Sequence, residues 1–116
     1  MNINIGILVI QCGVALTMLV FGINQMLRPT YWVTRYIPQV LISLLPMKPV
    51  TFMRLHALGN IIFGLFLVIS FGHPLVAAWV ALIWWITILP FAFRFWEIGM
   101  RDLTIIFSLI ALIILL

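Results

Sequence analysis

The chain has 116 residues, of which 66% are hydrophobic and 7% are charged, and its formal net charge is +4. Soluble domains carry roughly 45–50% apolar and about 25% charged residues, so this sequence has too little charge to cover the surface of a soluble fold. Lipid is the solvent that matches the composition, and we expect a single membrane domain over residues 1–116.

The first apolar run covers residues 5–27, and about 20 residues are enough to cross the hydrocarbon core. No basic stretch precedes it, so we expect it to remain as a helix and not to be removed as a signal peptide. Because small residues let helix backbones approach closely, a stripe of such residues predicts the packed face. That stripe consists of Gly6, Gly13, Thr17 and Asn24. The functional alternative to packing is that Asn24 and Gln25 supply amides to a pocket at the cytoplasmic end of the helix.

The connection over residues 28–50 is long and rich in apolar residues, but four prolines interrupt it. We predict an interfacial amphipathic segment made of two short helices that are split at Pro38. A re-entrant segment fits less well. Tyr31 and Trp32 are expected at the depth of the lipid headgroups, where aromatic residues are enriched.

Three further apolar runs cover residues 51–71, 74–93 and 99–116. Pro74 suits a first helical turn, where a missing N–H costs nothing. Together with the first run, they predict an all-α fold: an integral membrane bundle of four transmembrane helices.

Polar residues open the second helix, where Arg54 precedes His56 and Asn60 lies one turn further on. An imidazole beside an amide on one helix face can bind a quinone carbonyl or relay a proton. The alternative is a histidine that water or a backbone carbonyl satisfies at the membrane interface.

The third helix carries Trp84 and Trp85 side by side. They are interpreted as an aromatic wall for a planar or isoprenoid ligand. The alternative is an aromatic belt that fills the bundle.

The two acidic residues, Glu97 and Asp102, lie close to arginines. We expect Asp102 to turn toward another helix and to pair with Arg54 or Arg94, because a lone charge near the membrane edge is costly. With His56 and Arg101, these residues form the predicted polar cluster; the alternative is a salt-bridge network that only fixes helix ends.

The six basic residues lie in or beside the loops over residues 28–50 and 94–98. The positive-inside rule places these loops in the cytoplasm and both termini outside, in a multi-pass protein of the inner cell membrane. The dispersed cations also argue against a nucleic acid partner. The single cysteine, Cys12, cannot form an internal disulfide, and no metal site of His/Cys spacing is visible.

Three runs of the sequence carry a family resemblance: FGINQ at residues 21–25, RLHALGNIIFG at residues 54–64 and GMRDL at residues 99–103. With Pro29 and Trp32, they resemble the DoxX/DoxX-like family of small four-helix membrane proteins. The resemblance implies that Arg54, His56, Arg101 and Asp102 are worth testing. It also implies a subunit of a quinol-oxidising system, a role in redox homeostasis or an assembly helper.

Taken together, the residues and the resemblance predict a quinone- or lipid-binding accessory subunit of a membrane redox system. It would have no covalent cofactor and no self-sufficient catalytic constellation. The predicted ligand-binding residues are Asn24, Arg54, His56, Asn60, Trp84, Trp85, Arg101 and Asp102. Its expected partners are membrane lipid and either a second copy of the chain or a larger membrane complex.

Two other functions are weighed against this one. The first is a non-enzymatic membrane scaffold or assembly factor. The second is a small-molecule transporter, which is disfavoured because proton coupling needs a membrane-embedded carboxylate and the first three helices contain none.

Overall fold

The computed structural model describes residues 3–37, 39–70, 74–92 and 96–116. Over these residues the chain is helical, which confirms the predicted all-α class. The described helices follow in the order α1 (Ile3–Leu27), α2 (Pro29–Tyr36), α3 (Gln39–Leu44), α4 (Pro49–Ile69), α5 (Leu75–Ala92) and α6 (Trp96–Leu115).

Within the described residues, two helices are long and apolar enough to cross a membrane. They are Ile5–Leu27 within α1 and Pro49–Ile69, which is α4; α5 adds a shorter apolar stretch, Leu75–Leu89. A helix rises 1.5 Å per residue, so about 20 residues span the roughly 30 Å of the hydrocarbon core. The chain therefore contains helices of the length and composition that lipid requires.

The helix starts differ from the predicted ones for local reasons. α4 begins at Pro49, ahead of the predicted start, because proline suits a first turn. α6 begins at Trp96, whereas the prediction treated Gly99 as the start. Pro74 lies just before α5, and its carbonyl accepts the Ala78 N–H at 2.7 Å.

The long helices surround one apolar core. α1 packs most extensively against α4, and α5 against α6, while α1 also contacts α6 and α4 contacts α5. Small residues of α5 let larger side chains of the other helices fill the space between them. The buried core includes Met18, Leu67, Ala77, Ala78, Ala81, Leu109 and Leu112.

The packed face of α1 is not the predicted stripe of small residues. Gly13 of that stripe is exposed, and no atom lies within 4 Å of the position that a Cβ would take there. Gly22 makes the close approach instead, because a Cβ on Gly22 would lie 2.8 Å from Ile61 Cγ1 and 3.0 Å from the Ala57 carbonyl oxygen. The buried face carries Gln11, Val14, Ala15, Met18, Gly22 and Gln25.

The prediction of that stripe was wrong because it favoured residue size over burial. The residues of the observed face recur three or four positions apart, which is equally helical. Two of them are glutamines, whose amides need partners inside the fold.

The segment between α1 and α4 contains the two short helices predicted, and the break between them falls beside Pro38. α2 packs on α4 and α1 through one face. A second apolar cluster forms there from Trp32, Val33, Ile37 and Met53, with Phe21, Ile42 and Phe52 against it. Trp32, predicted at headgroup depth, is buried within the chain, whereas Tyr31 is exposed.

Candidate functional site

Side-chain amides and an indole form a hydrogen-bonded chain where α1, α4 and α5 meet. The Asn60 Nδ2 donates to Gln25 Oε1 at 2.9 Å, and the Trp84 Nε1 donates to Asn60 Oδ1 at 2.7 Å. Asn60 and Gln25 are buried. Asn60 therefore connects three helices through its one side chain.

The sequence builds this junction by pairing a glycine with the asparagine. Asn60 lies on the buried stripe of α4 with Met53, Ala57, Gly64 and Leu67, at intervals of three and four residues. Gly59 lies beside it, and a Cβ there would overlap the six-membered ring of Trp84. The absence of a side chain at position 59 thus makes room for the indole that Asn60 binds.

His56 lies one turn before Asn60, as predicted, and contacts the same tryptophan. Its ring stacks on Trp84 with centroids 5.5 Å apart and planes 18° apart. Its Nε2 lies 3.4 Å from Asn60 Nδ2. Phe63 also packs on Trp84, with the two ring centroids 5.1 Å apart.

The Asn60 amide constrains the tautomer of His56. Nδ2 is a donor, so a contact with Nε2 of a neutral imidazole requires Nε2 to accept and Nδ1 to carry the hydrogen. This assignment follows from the hydrogen-bond pattern. The side chain is half-buried, and the residues that the structure describes supply no partner for Nδ1. An N–H donor is therefore left over at the edge of the junction.

Asp102 is buried and forms an ion pair with its neighbour Arg101. Nη2 and Nε of Arg101 lie 2.9 and 3.0 Å from Asp102 Oδ1. The guanidinium carbon also lies 4.1 Å from the Phe21 ring centroid, a cation–π contact between α6 and α1. Phe21 was not among the predicted site residues.

The predicted partners of Asp102 are only partly within the described structure. The side chains of Arg94 and Glu97 lie outside the described residues. Arg54 is exposed and makes no ion pair with a described side chain. The expected pairing of Asp102 with Arg54 is therefore wrong: Arg101 takes that place, because adjacent residues can form the pair without bringing two helices closer.

Asn24 does not join His56 and Asn60. Its Oδ1 accepts the Trp32 indole N–H at 2.7 Å, so it fixes α2 to the end of α1. Gln25, the neighbouring amide, is the residue that reaches Asn60. Of the predicted amide pair, Asn24 therefore joins α1 to α2, whereas Gln25 joins α1 to α4.

Trp84 and Trp85 face different parts of the fold. Trp84 is half-buried against α4, whereas Trp85 is buried in the main core. The Trp85 Nε1 has no hydrogen-bond partner among the described residues. Of the predicted aromatic wall, only Trp84 contacts His56 and Asn60.

Sequence reasoning did not single out Gly59, Phe63 or Phe21 for this region. The signal for Gly59 was its position directly before Asn60, and for Phe63 its spacing of one turn from that residue. Across the described part of the chain, no group of three or more His, Cys, Asp or Glu side chains is placed to hold a metal ion. The arrangement offers hydrogen bonding and ring stacking.

Comparisons with protein-family models, with curated proteins and with solved structures find no match for this chain. The resemblance to the DoxX/DoxX-like family accordingly stays a prediction.

Proposed function

We propose that the chain is a multi-pass membrane protein whose four long helices cross the bilayer. The two helices of spanning length support this, as does the apolar character of α5. In the proposed orientation, the end that carries the basic residues faces the cytoplasm and both termini lie outside. The outward-facing side chains of α1 and α4 include Leu16 and Ile69, which are 63% and 79% exposed and suit contact with lipid.

We further propose that it binds a lipid-soluble ligand of the quinone type as an accessory subunit of a membrane redox system. One observation carries this proposal: His56 is half-buried, stacked on Trp84 and held by Asn60, with Nδ1 left over as a donor. A quinone presents a flat ring and carbonyl acceptors, which match an N–H donor beside an aromatic face.

The residues of the junction fit a quinone, but they leave it few hydrogen-bonding groups. The Trp84 N–H and both polar atoms of the Asn60 amide are already hydrogen-bonded, so His56 is the group of this junction that would bind the carbonyl. Asn60 and Trp84 would orient the imidazole. A bound quinone supplies the redox chemistry, and the chain's own residues bind and position it.

A membrane scaffold is the second candidate, and the same junction supports it. Gln25, Asn60 and Trp84 satisfy one another without a ligand. Such a closed network fixes the relative positions of three helices, which is useful to a protein whose working surface is its outer face.

A binding experiment separates the two candidates. The protein is purified in detergent, its lipid extract is analysed for quinone, and a short-chain quinone is then titrated against tryptophan fluorescence. His56→Phe retains an aromatic ring but removes the donor. One lost hydrogen bond of about 1.4 kcal/mol would raise the Kd about tenfold.

Trp79→Phe is the matched control, because Trp79 is 49% exposed and lies outside the junction. It should leave the Kd unchanged. Absence of quinone from the extract, together with no saturable quenching by added quinone, would exclude the ligand-binding function and leave the scaffold.

A further inference from the structure

The helix α2 has an outward face that the quinone proposal does not use. Thr30, Tyr31, Thr34 and Arg35 are exposed along it. The opposite face carries Trp32 and Val33, which are buried in the second apolar cluster. α2 is therefore an amphipathic helix fixed to the bundle through one side.

Three other exposed cations lie close to the same cluster along the chain. Arg28 directly precedes α2, Lys48 directly precedes α4, and Arg54 follows the buried Met53. Because the cluster joins α1, α2 and α4, these positions gather at one end of the molecule together with Arg35. We call Arg28, Arg35, Lys48 and Arg54 the basic rim.

The exposed side chains that the structure describes include no acidic residue. Asp102 is buried and paired with Arg101. Tyr31 lies on the rim side of α2, and its ring centroid is 5.7 Å from the guanidinium carbon of Arg35. A tyrosine beside cations is a combination typical of headgroup depth in a bilayer.

We propose that the basic rim and the outward face of α2 form a docking surface for the headgroups of anionic phospholipids. Guanidinium and ammonium groups form charge-assisted hydrogen bonds with phosphate oxygens, and each cation near an anionic surface adds to lipid attraction. The inference rests on the proposed membrane location but is independent of the quinone site. It makes α2 a lipid-binding element that is fixed to the bundle by the hydrogen bond between Trp32 and Asn24.

Spin-labelled lipids test the proposal in reconstituted vesicles. The protein is placed in phosphatidylcholine, and the motionally restricted fraction is measured for spin-labelled phosphatidylglycerol and for spin-labelled phosphatidylcholine. Their ratio should favour phosphatidylglycerol by roughly twofold when averaged over all lipid neighbours, because local sites near each cation gain about fivefold. The preference should fall in 0.5 M NaCl, where exposed charges are screened.

Two variants identify the surface. Neutralising the basic rim with Arg28→Gln, Arg35→Gln, Lys48→Gln and Arg54→Gln should bring the ratio close to one. The charge-preserving control, in which each of the three arginines is replaced by lysine, should keep the preference.

An equal restricted fraction for both lipids with the wild-type protein would overturn the inference, and so would a full preference in the neutralised variant. The wild-type and salt measurements decide the question even where the quadruple variant does not fold. Failure of the protein to enter vesicles would instead contradict the proposed membrane location.

Discussion

The two ends of the bundle use buried amides in different ways. At the end near α2, Gln25 bonds to Asn60, and Asn60 bonds in turn to Trp84, side chain to side chain. At the opposite end, Gln11 donates to the Leu67 backbone carbonyl at 2.5 Å, and its Oε1 has no partner among the described residues. Both pairs join α1 to α4, but only the first continues into α5.

The difference shows at which end the loss of a polar side chain should reduce stability most. A side chain that links three helices leaves several buried groups unpaired when it is removed. Removing a side chain that makes one hydrogen bond to a backbone carbonyl leaves fewer buried groups unpaired. The comparison predicts that substitutions of similar chemistry will have unequal effects at the two ends.

Replacing Asn60 by leucine should have the largest effect. The change removes the acceptor of the Trp84 N–H and the donor to Gln25, and it leaves the buried Gln25 oxygen and the half-buried Trp84 N–H without these partners. Unpaired buried groups cost roughly 1–3 kcal/mol each, although average interhelical bonds in membranes are worth about 0.6 kcal/mol. We expect a loss of about 2–3 kcal/mol, measured by unfolding in sodium dodecyl sulfate with circular dichroism.

Asn24→Leu is the matched control for this substitution. Asn24 makes one side-chain hydrogen bond among the described residues, to Trp32 at the edge of the bundle, so its loss should cost about 1 kcal/mol. Equal losses for the two variants would show that the link to α5 adds nothing to stability.

Replacing Gly22 by alanine should have the next largest effect. A Cβ at this position meets Ile61 at 2.8 Å and the Ala57 carbonyl oxygen at 3.0 Å, so α1 and α4 must move apart. Forcing an extra methyl into a packed interface costs roughly 1–3 kcal/mol, and the same unfolding assay measures it.

Gly13→Ala separates packing from helix propensity. Gly13 is exposed with open space around it, and alanine is a better helix former by about 1 kcal/mol. The unfolding free energy of the Gly13→Ala variant should stay unchanged or rise slightly. A loss like that of Gly22→Ala would mean that the exposed stripe of α1 is packed against another molecule.

The contrast between these glycines also shows how far the sequence leads. Composition and run length predict the helical class and the approximate helix ends, because a helix that crosses the hydrocarbon core needs about 20 mostly apolar residues. They do not decide which face of α1 turns inward, because the line of residues through Gly13 and the line through Gly22 both recur with the period of a helix. That choice depends on whether neighbouring helices supply partners for Gln11 and Gln25, which is a tertiary property.

The contacts of the candidate site also divide into those that the sequence predicts and those that it does not. The pairing of His56 with Asn60 was predictable, because both lie on one helix a single turn apart. The link of Asn60 to Gln25 crosses between helices, and so does the contact of Arg101 with Phe21. Pairings of this kind follow from the relative rotation of helices, which a single sequence does not determine.

Replacing Gln11 by leucine should have the smallest effect. The variant loses one hydrogen bond to the Leu67 carbonyl, but it also removes the buried Oε1 that no described residue satisfies. The lost hydrogen bond and the removed unpaired oxygen have opposite effects on stability, so the unfolding free energy should change by less than about 0.5 kcal/mol. Gln25→Leu is the paired measurement at the other end, where the Asn60 N–H loses its acceptor, and should cost about 1–2 kcal/mol. If Gln11→Leu proved the more costly of the two, the Gln11 Oε1 would have to be bonded to a buried water, and the two ends would differ in hydration and not in connectivity.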